Sequence, residues 1–289
     1  MAGALRLGGH TFAPGELVVM AIINRTPDSF FDRGATFDAD SALRAVERAV
    51  DEGAAIIDIG GVKAGPGAEV DVAEEIRRTV QTIAAVRAAF PQVVISIDTW
   101  RAEVATEAVA AGADLLNDTW SGADPALARV AAQTGAGLVC SHAGGLTPRT
   151  RPHRAAFPDV VADVVATVTG LAERAVAAGV RPDGILIDPA HDFGKNTRHS
   201  LEITRRLDEL TGTGWPVLVA LSNKDFIGET LGLPVAERLE GTLAATAVSA
   251  WLGARVFRAH QVGPTRRVLD MVASIRGDRP PKETRRGLA

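Results

Sequence analysis

The chain has 289 residues, of which 46% are hydrophobic, so it can bury a large core, and α/β barrels of about this length often form one domain. The formal charge of −4, from 31 basic and 35 acidic residues, excludes the strongly basic surface that nucleic acids or anionic membranes attract. A single cysteine, Cys140, excludes an internal disulfide and is expected to be a buried thiol, and the lack of a signal-peptide core or of an apolar stretch of about 18 residues predicts a cytoplasmic protein.

Eight short apolar runs, many of them rich in β-branched residues, recur along the chain. Near-continuous apolar runs are typical of strands that are buried on both faces, as parallel strands are. The first run stops at Asn24, where a polar and turn-rich segment begins. In chain order the predicted strands are Leu17–Ile23, Ala55–Ile59, Val93–Ile97, Asp114–Leu116, Gly137–Ser141, Ile185–Ile187, Val217–Leu221 and Arg255–Ala259.

Longer, Ala-rich segments with helical spacing follow these runs. The first of them, Ser41–Gly53, places Leu43, Val46 and Val50 on one apolar stripe. Glycines stand where several of these helices are expected to end. The remaining predicted helices are Asp71–Phe90, Arg101–Gly112, Pro125–Thr134, Asp159–Gly179, Arg198–Leu210, Ala236–Leu252 and Thr265–Ile275.

Eight strands that alternate with eight helices predict a single (β/α)8 TIM barrel over residues 1–275. The polar, Pro-containing segment 276–289 is expected to be a surface tail. A doubly wound open sheet is the alternative, and the absence of a G-x-G-x-x-G run after the first strand weakens it.

Polar or ionisable residues stand at the carboxyl end of every predicted strand. In a parallel barrel these ends share one face, where barrel active sites are built. For any one residue a loop cap or turn former is the competing interpretation, because Asp and Asn often begin loops. Eight such ends on one rim predict a shared site. The residues are Asn24, Asp58, Asp98, Asn117 with Asp118, His142, Asp188, Ser222 to Lys224, and Arg258 with His260.

The rim residues are mixed in charge. The carboxylates of Asp58, Asp98 and Asp188, with the amide of Asn117, suit a flat heterocycle that carries several N–H groups.

Lys224, Arg258 and His260 follow the last two strands, where barrels commonly hold a phosphate. The side-chain oxygen of Asn24 is suited to Mg²⁺ carried by a pyrophosphate. Two structural alternatives stay open: Arg258 as an ion-pair partner of a rim aspartate, and His142 as a loop histidine.

These residues resemble the dihydropteroate synthase family over nearly the whole chain, from Val18 to Ile275, and in the family's order. The segment MAIINRTPDSFFDRGATF contains Asn-x-Thr-Pro-Asp-Ser-Phe, the diagnostic part of the family's first-strand signature. Seven motifs in register make the resemblance specific. The other six are IIDIGG at Ile56–Gly61, SIDTW at Ser96–Trp100, LLNDTW at Leu115–Trp120, LIDPAHDFGK at Leu186–Lys195, LSNKDFIG at Leu221–Gly228 and FRAH at Phe257–His260.

The family joins hydroxymethyl-dihydropterin pyrophosphate to the amine of p-aminobenzoate and releases pyrophosphate. The resemblance implies three groups of site residues and a homodimer formed through the last helices, here around Ala244–Leu252. Lys224, Arg258 and His260 would be the catalytic cations. The pterin would be held by Asp98, Asn117, Asp188 and Lys224, with Asp58 lining the same rim less directly; the pyrophosphate and its Mg²⁺ by Asn24, Arg258 and His260; and the aminobenzoate by Phe30, Phe193 and Asp225.

The sequence departs from the family pattern on the side of the amine substrate. The loop Gly60–Gly67 has Gly65 where the family has an arginine. After the seventh strand, Asn223 replaces an arginine and Asp225 a residue that helps receive the aminobenzoate carboxylate. The loop after the sixth strand reads AHDFG, which adds His191 and Asp192.

These departures predict a divergent, synthase 2-type paralogue in which activity with p-aminobenzoate is weak or absent. A fully active synthase, a non-enzymatic pterin-binding paralogue and a folate-dependent methyltransferase are the alternatives.

Overall fold

The computed structural model describes residues 3–26, 39–150 and 156–287. Within this part of the chain, ten strands and ten α-helices follow one another. The eight strands predicted from the sequence are all present, and two short ones precede them. The strands are β1 (Leu5–Leu7), β2 (His10–Phe12), β3 (Val18–Asn24), β4 (Ile56–Gly60), β5 (Val94–Asp98), β6 (Leu115–Asp118), β7 (Gly137–Ser141), β8 (Ile185–Asp188), β9 (Leu218–Ala220) and β10 (Val256–Ala259).

The eight later strands form one parallel sheet in the order β8-β7-β6-β5-β4-β3-β10-β9. A parallel bridge between Ile187 and Val217 joins its two edges, and the amide of Ile187 donates to the carbonyl of Pro216 at 3.0 Å. The sheet is thereby closed into a ring, so the predicted single (β/α)8 TIM barrel is confirmed.

Helices cover the outside of the ring and match the predicted segments with two differences. Arg206 separates the expected helix after β8 into two, α6 and α7, and the short helix α8 after β9 has no predicted counterpart. The helices are α1 (Ala39–Asp51), α2 (Val72–Ala89), α3 (Ala102–Ala110), α4 (Ala126–Thr134), α5 (Val160–Ala177), α6 (Thr197–Arg205), α7 (Leu207–Thr211), α8 (Asp225–Leu231), α9 (Leu239–Trp251) and α10 (Val262–Ile275).

The helix ends follow the sequence signals. Side chains of Asp71 and Asp159 accept hydrogen bonds from the first turns of α2 and α5, and Asn196 begins α6 with a capping box. Gly135 ends α4 with φ of +77°, a left-handed conformation that a residue without a Cβ adopts at little cost.

Side chains of the barrel strands alternate between the interior of the ring and the helix layer, as the pleat of a strand requires. Outward-facing residues join the helices in a large apolar core, to which the buried thiol of Cys140 belongs. A second buried cluster fills the interior. Its members are Leu5, Leu7, Phe12, Val18, Met20, Ile56, Val94, Leu115, Val139, Leu186, Leu218, Ala220 and Val256.

The antiparallel hairpin of β1 and β2 closes the amino-terminal mouth of the barrel. A Cβ on Gly137, the first residue of β7, would lie 2.5 Å from Leu7 Cδ2. Arg255, just before β10, donates to the carbonyls of Gly3 and Ala13, both at 2.6 Å. This mouth is therefore filled by apolar side chains, and the opposite mouth is left for the site.

The last described segment, 276–287, follows the end of α10 at Ile275 and is mostly exposed. Its start is held by Arg276, which donates to the carbonyl of Ala250 at 3.1 Å, and by an ion pair between Arg279 and Asp270. Within the described ranges, none of the helices combines the length and apolar character that crossing a membrane requires.

We expect Leu7→Ala to lower the free energy of unfolding by about 2–5 kcal/mol, because the change empties a fully buried site beneath the barrel. Urea denaturation followed by circular dichroism measures the loss. The control is Leu231→Ala, whose side chain is 51% exposed and whose loss should change stability by less than about 0.5 kcal/mol. Equal effects of the two substitutions would contradict the proposed role of the hairpin.

Candidate functional site

Strand register brings the predicted rim residues to one level. Asn24 is paired with Gly60, Gly60 with Asp98, and Asp98 with Asn117 across four neighbouring strands. The backbone of Arg258 is paired with Met20, deeper in the barrel than the other rim residues, and its long side chain extends toward the carboxyl mouth. The carboxyl ends of the strands therefore form one pocket floor, as the sequence predicts.

A fully buried carboxylate, Asp58, is at the centre of this floor. It accepts hydrogen bonds from Ser96 Oγ at 2.6 Å, from Arg258 Nε at 2.6 Å and from Asn117 Nδ2 at 3.2 and 3.3 Å. These contacts satisfy both of its oxygens. Asp58 thus holds Ser96, Arg258 and Asn117 in place from below the rim.

Arg258 holds a second carboxylate as well. Its Nη2 donates to Asp98 Oδ2 at 2.8 Å, so one guanidinium bridges Asp58 and Asp98. Burial raises the pKa of Asp98 to about 7 against the opposing charge of Arg258. For Arg258, burial lowers the pKa, but the two carboxylates outweigh it and the pKa is raised. The alternative interpretation of Arg258 as an ion-pair partner therefore describes this structure.

Two further acceptors stand beside this ion pair. Asn117 Oδ1 is buried and has no hydrogen-bond partner within the part of the chain that the structure describes. Asp188 is buried at the end of β8, and its Oδ1 accepts from the amide of Ala190 at 2.7 Å. Burial raises the pKa of Asp188, and the charge of Lys224 opposes that shift. The pocket thus contains more acceptor capacity than its protein donors use.

Lys224 is the residue at which α8 begins, and its ammonium turns back over the rim. Nζ donates to the carbonyl of His191 and lies 5.0 Å from the centre of the Phe193 ring. Burial lowers the pKa of Lys224, and the carboxylates of Asp192 and Asp188 act against that shift. The cation is therefore shared between the floor and the loop that follows β8.

His260 follows β10, and its Nδ1 lies 3.0 Å from Ser222 Oγ. Burial, with the charges of Arg258 and Lys224, lowers the pKa of His260 to about 3. At neutral pH it is an uncharged imidazole and not the third cation that the sequence suggests. It can still donate one hydrogen bond.

Asn24 ends β3 and is partly buried at the level of Asp98. Its side chain therefore belongs to the rim at the carboxyl mouth. Among the residues described, no group of three or more His, Cys, Asp or Glu side chains is arranged to hold a metal ion.

Two members of the predicted ring face away from the pocket. Asp118 accepts hydrogen bonds from the amides of Trp120 and Gly122 at 2.9 and 2.6 Å. His142 Nε2 lies 2.7 Å from Asp163 on α5. Their side chains point outward because they stand one residue out of phase with the inward-facing positions of β6 and β7, so the loop interpretation of His142 applies.

A cavity of about 300 Å³ opens beside the floor. Phe193 and Asp225, two of the residues predicted for aminobenzoate, line it; the third, Phe30, lies outside the described residues. Trp120, for which no pattern in the sequence predicts a role, packs edge-on against Phe193 with ring centres 5.3 Å apart. The described walls are completed by Ala64, Gly65, Leu146, Thr150, Asp192, Gly194, Asn223, Lys224 and Val235.

Lys195 has a structural role that sequence patterns do not predict. Its buried ammonium donates to the carbonyls of His142, Ala190 and Phe193 at 2.9, 3.1 and 2.8 Å, and burial lowers its pKa to about 7. All three donors of the ammonium are used, so Lys195 fixes the loop after β8 to the end of β7. Its position between Gly194 and Asn196 carries no local signal for such a role.

We expect the stability of the wild-type protein to fall as pH rises through about 7, where the folded state must give up the proton that burial keeps on Asp98. The unfolded chain loses that proton near pH 4, so between these values the folded state binds more protons than the unfolded state, and raising the pH disfavours folding. Asp98→Asn removes this contribution.

Free energies of unfolding measured from about pH 5 to 8 should therefore fall by about 2–3 kcal/mol more in the wild type than in Asp98→Asn, since each pH unit between the two pKa values contributes about 1.4 kcal/mol. The control is Asp183→Asn, at the opposite mouth, which should keep the wild-type profile. Parallel profiles for wild type and Asp98→Asn would contradict the shifted pKa.

Comparison with known proteins agrees with this geometry. The family described as pterin binding enzyme matches residues 20–260. A Mycobacterium leprae protein named inactive dihydropteroate synthase 2 is 61% identical over 287 residues, 98% of this chain and 99% of the relative. The dihydropteroate synthase of Bacillus subtilis is 39% identical over 262 residues, 90% of this chain and 89% of the relative.

Solved structures of dihydropteroate synthases superimpose closely. The Yersinia pestis enzyme in a sulfonamide drug complex has a TM-score of 0.90 at 35% identity, covering 96% of this chain and 100% of the other. The Xanthomonas albilineans enzyme with 4-aminobenzoic acid has a TM-score of 0.86 at 33% identity, covering 96% and 99%. The chain therefore belongs to the family of pterin-binding enzymes, with the dihydropteroate synthases as relatives, as its seven motifs predict.

Proposed function

We propose that the protein binds the pterin pyrophosphate substrate of dihydropteroate synthases at the rim around Asp98, Asn117, Asp188 and Lys224. The observation that carries this proposal is the surplus of acceptors. Asn117 Oδ1 is buried without a partner among the described residues, between carboxylates that a single guanidinium compensates. A buried acceptor without a donor is costly, and a pterin ring supplies N–H groups along one edge.

Arg258, His260 and Asn24 are proposed to hold the pyrophosphate. Arg258 can bind phosphate oxygens with two parallel N–H groups, and neutral His260 can donate one. The amide oxygen of Asn24 suits a Mg²⁺ ion that arrives with the substrate, because Mg²⁺ prefers oxygen ligands and keeps several from phosphates and water. The bound ion would neutralise charge on the leaving pyrophosphate.

Activity with p-aminobenzoate is proposed to be weak or absent. The mycobacterial relative at 61% identity is named inactive, and Asp225 lines the cavity that the amine substrate is proposed to enter. Like charges about 4 Å apart repel by about 1 kcal/mol in water and by more in a partly dry pocket. A fully active synthase is the second candidate, favoured by the preserved rim.

A cytoplasmic homodimer is proposed as the working form. Large apolar side chains are exposed on α9, at Val248 and Trp251, and on α10, at Met271 and Ile275, with exposed fractions of 48 to 61%. Four such residues on two adjacent helices are typical of a surface that a partner covers.

Light scattering after gel filtration should give twice the mass of the chain for the wild type. We expect Trp251→Lys to shift the protein toward the monomer, because a charge at the centre of an apolar interface is left without water or a partner. The control is Leu231→Lys on α8, which should stay dimeric. A monomeric wild type would contradict the dimer.

The pterin site is tested by titration calorimetry with 6-hydroxymethylpterin. We expect Asp188→Asn to weaken binding about tenfold or more, because a charge-assisted hydrogen bond is lost. Asp183→Asn is the matched control, since it lies just before β8 and Asp188 ends the same strand at the other mouth. Equal affinities in the two variants would contradict the assignment.

The same preparation is then supplied with the pterin pyrophosphate, Mg²⁺ and p-aminobenzoate, and pyrophosphate release is followed. We expect the protein to bind the pterin pyrophosphate but to release pyrophosphate far more slowly than the Bacillus subtilis synthase assayed alongside. Comparable rates would establish the active synthase instead.

A further inference from the structure

We propose that the cavity beside the rim accepts an aromatic amine that carries no negative charge, neutral or cationic, with Asp192 and Asp225 as the residues that set this specificity. The inference depends on the proposed function, because it concerns the second ligand of a protein whose first ligand is a pterin.

The size and walls of the cavity fit one small aromatic ring. Its volume is about 300 Å³, and Trp120, Leu146, Phe193 and Val235 supply apolar surface. Trp120 and Phe193 meet edge to face, with 68° between their planes. The pair thus gives the cavity a packed aromatic wall, beside which a further ring can lie.

The charged groups on the described walls are two carboxylates and one ammonium, those of Asp192, Asp225 and Lys224. The ammonium of Lys224 is already engaged by the carbonyl of His191 and faces the carboxylates of Asp188 and Asp192. A ligand carboxylate would thus meet the exposed carboxylate of Asp225, which a single ion pair with Arg238 balances, and a lysine that Asp188 and Asp192 already engage, so the described walls offer it no uncommitted cation.

Asp192 lies on the cavity wall with a strained backbone conformation. Its φ is +70°, in the left-handed region that Asp adopts more often than most residues with a Cβ but still uncommonly. Its carboxylate is largely buried and accepts hydrogen bonds from Ser200 Oγ at 2.9 Å and from the amide of Phe226 at 3.2 Å. A strained, buried carboxylate on a cavity wall is typical of a residue that serves a ligand.

The guanidinium nearest to Asp225 does not line the cavity. Arg238 donates to Asp225 Oδ1 at 2.9 Å and also to the carbonyls of Asn223 and Leu233 at 2.9 and 3.2 Å. These contacts hold Arg238 behind the wall. The side chain of Asp225 is 78% exposed and stays accessible to a ligand.

Asn223 independently indicates that the ligand of this cavity is a hydrogen-bond donor. It lines the cavity, is almost completely buried, and its Nδ2 donates to Gln261 Oε1 at 3.1 Å. This contact fixes the amide so that Oδ1 is left buried without a partner within the described chain. Within the described walls, Asn223 Oδ1 is therefore a buried acceptor that requires a donor on the ligand, and the carboxylates of Asp192 and Asp225 stand beside it.

The preferred charge of the ligand is tested with three molecules of similar shape. They are 4-aminobenzoate (negative), 4-aminobenzamide (neutral) and 4-aminobenzamidine (positive). Each is titrated into the full chain that has been saturated with 6-hydroxymethylpterin, pyrophosphate and Mg²⁺. No reaction can follow, because 6-hydroxymethylpterin has no leaving group. We expect the amidine to bind about tenfold more tightly than the benzoate, with the amide between them.

Substitutions then identify the residues that cause the preference for the amidine over the benzoate. Asp192→Gly and Asp225→Ser are each expected to reduce the ratio of amidine to benzoate affinity about fivefold, and the double variant should reduce it further. The matched control is Ala190→Gly, two residues from Asp192 and also left-handed, with φ of +47°. It relieves the same kind of strain without a change of charge and should keep the wild-type ratio.

The outcomes separate the two proposals. Absence of pterin binding in the first titration overturns the proposed function. Pterin binding followed by a benzoate affinity equal to or above that of the amidine overturns this inference alone. An unchanged ratio in both aspartate variants also overturns it, because the preference would then lie elsewhere.

Discussion

The bridge that Arg258 makes between Asp58 and Asp98 is the interaction on which the site depends. A guanidinium and two carboxyl groups are buried together in the mouth of the barrel, and removing charged groups from water costs several kcal/mol for each unless their partners are well placed. The register of β4, β5, β6 and β10 supplies that placement, and Ser96 and Asn117 complete the hydrogen bonds of Asp58. The ion pair therefore ties the register of these strands to the chemistry of the pocket, because a shift in any of them would leave a buried charged group without its partner.

The same bridge couples the two halves of the proposed ligand. A guanidinium that holds two carboxylates is not available to a phosphate until a donor replaces it at one of them. Under the proposed function the pterin supplies such donors at Asp98 and Asn117, so ring binding and the release of Arg258 toward the pyrophosphate are parts of one exchange. The neutral state of His260 fits this arrangement, because a third cation beside Arg258 and Lys224 would repel both.

The barrel and its rim could be predicted from the sequence because both depend on local patterns. Apolar runs mark buried parallel strands, and the residue that ends each run must lie at the carboxyl mouth. The hairpin of β1 and β2 was missed because three-residue strands are too short to show a period. Lys195 was missed because its role depends on carbonyls from two separate loops, which no spacing in the sequence reveals. Asp192 stands in a loop run without periodicity, and its burial follows from packing against α6 and α8.

Backbone strain within the described chain is confined to one face of the barrel. The residues other than glycine with positive φ are Ser121, Arg149, Ala190, Asp192 and Asn223. They belong to the loops after β6, β7, β8 and β9, all at the carboxyl mouth. Loops at the other mouth adopt such conformations through glycine, as Gly53 and Gly179 do. Since left-handed residues with a Cβ cost about 1 kcal/mol or more each, packing alone would favour glycine at both mouths. The distribution instead follows the site. Asp192 and Asn223 adopt the left-handed conformation where their side chains line the cavity, and the free energy of ligand binding can offset that cost.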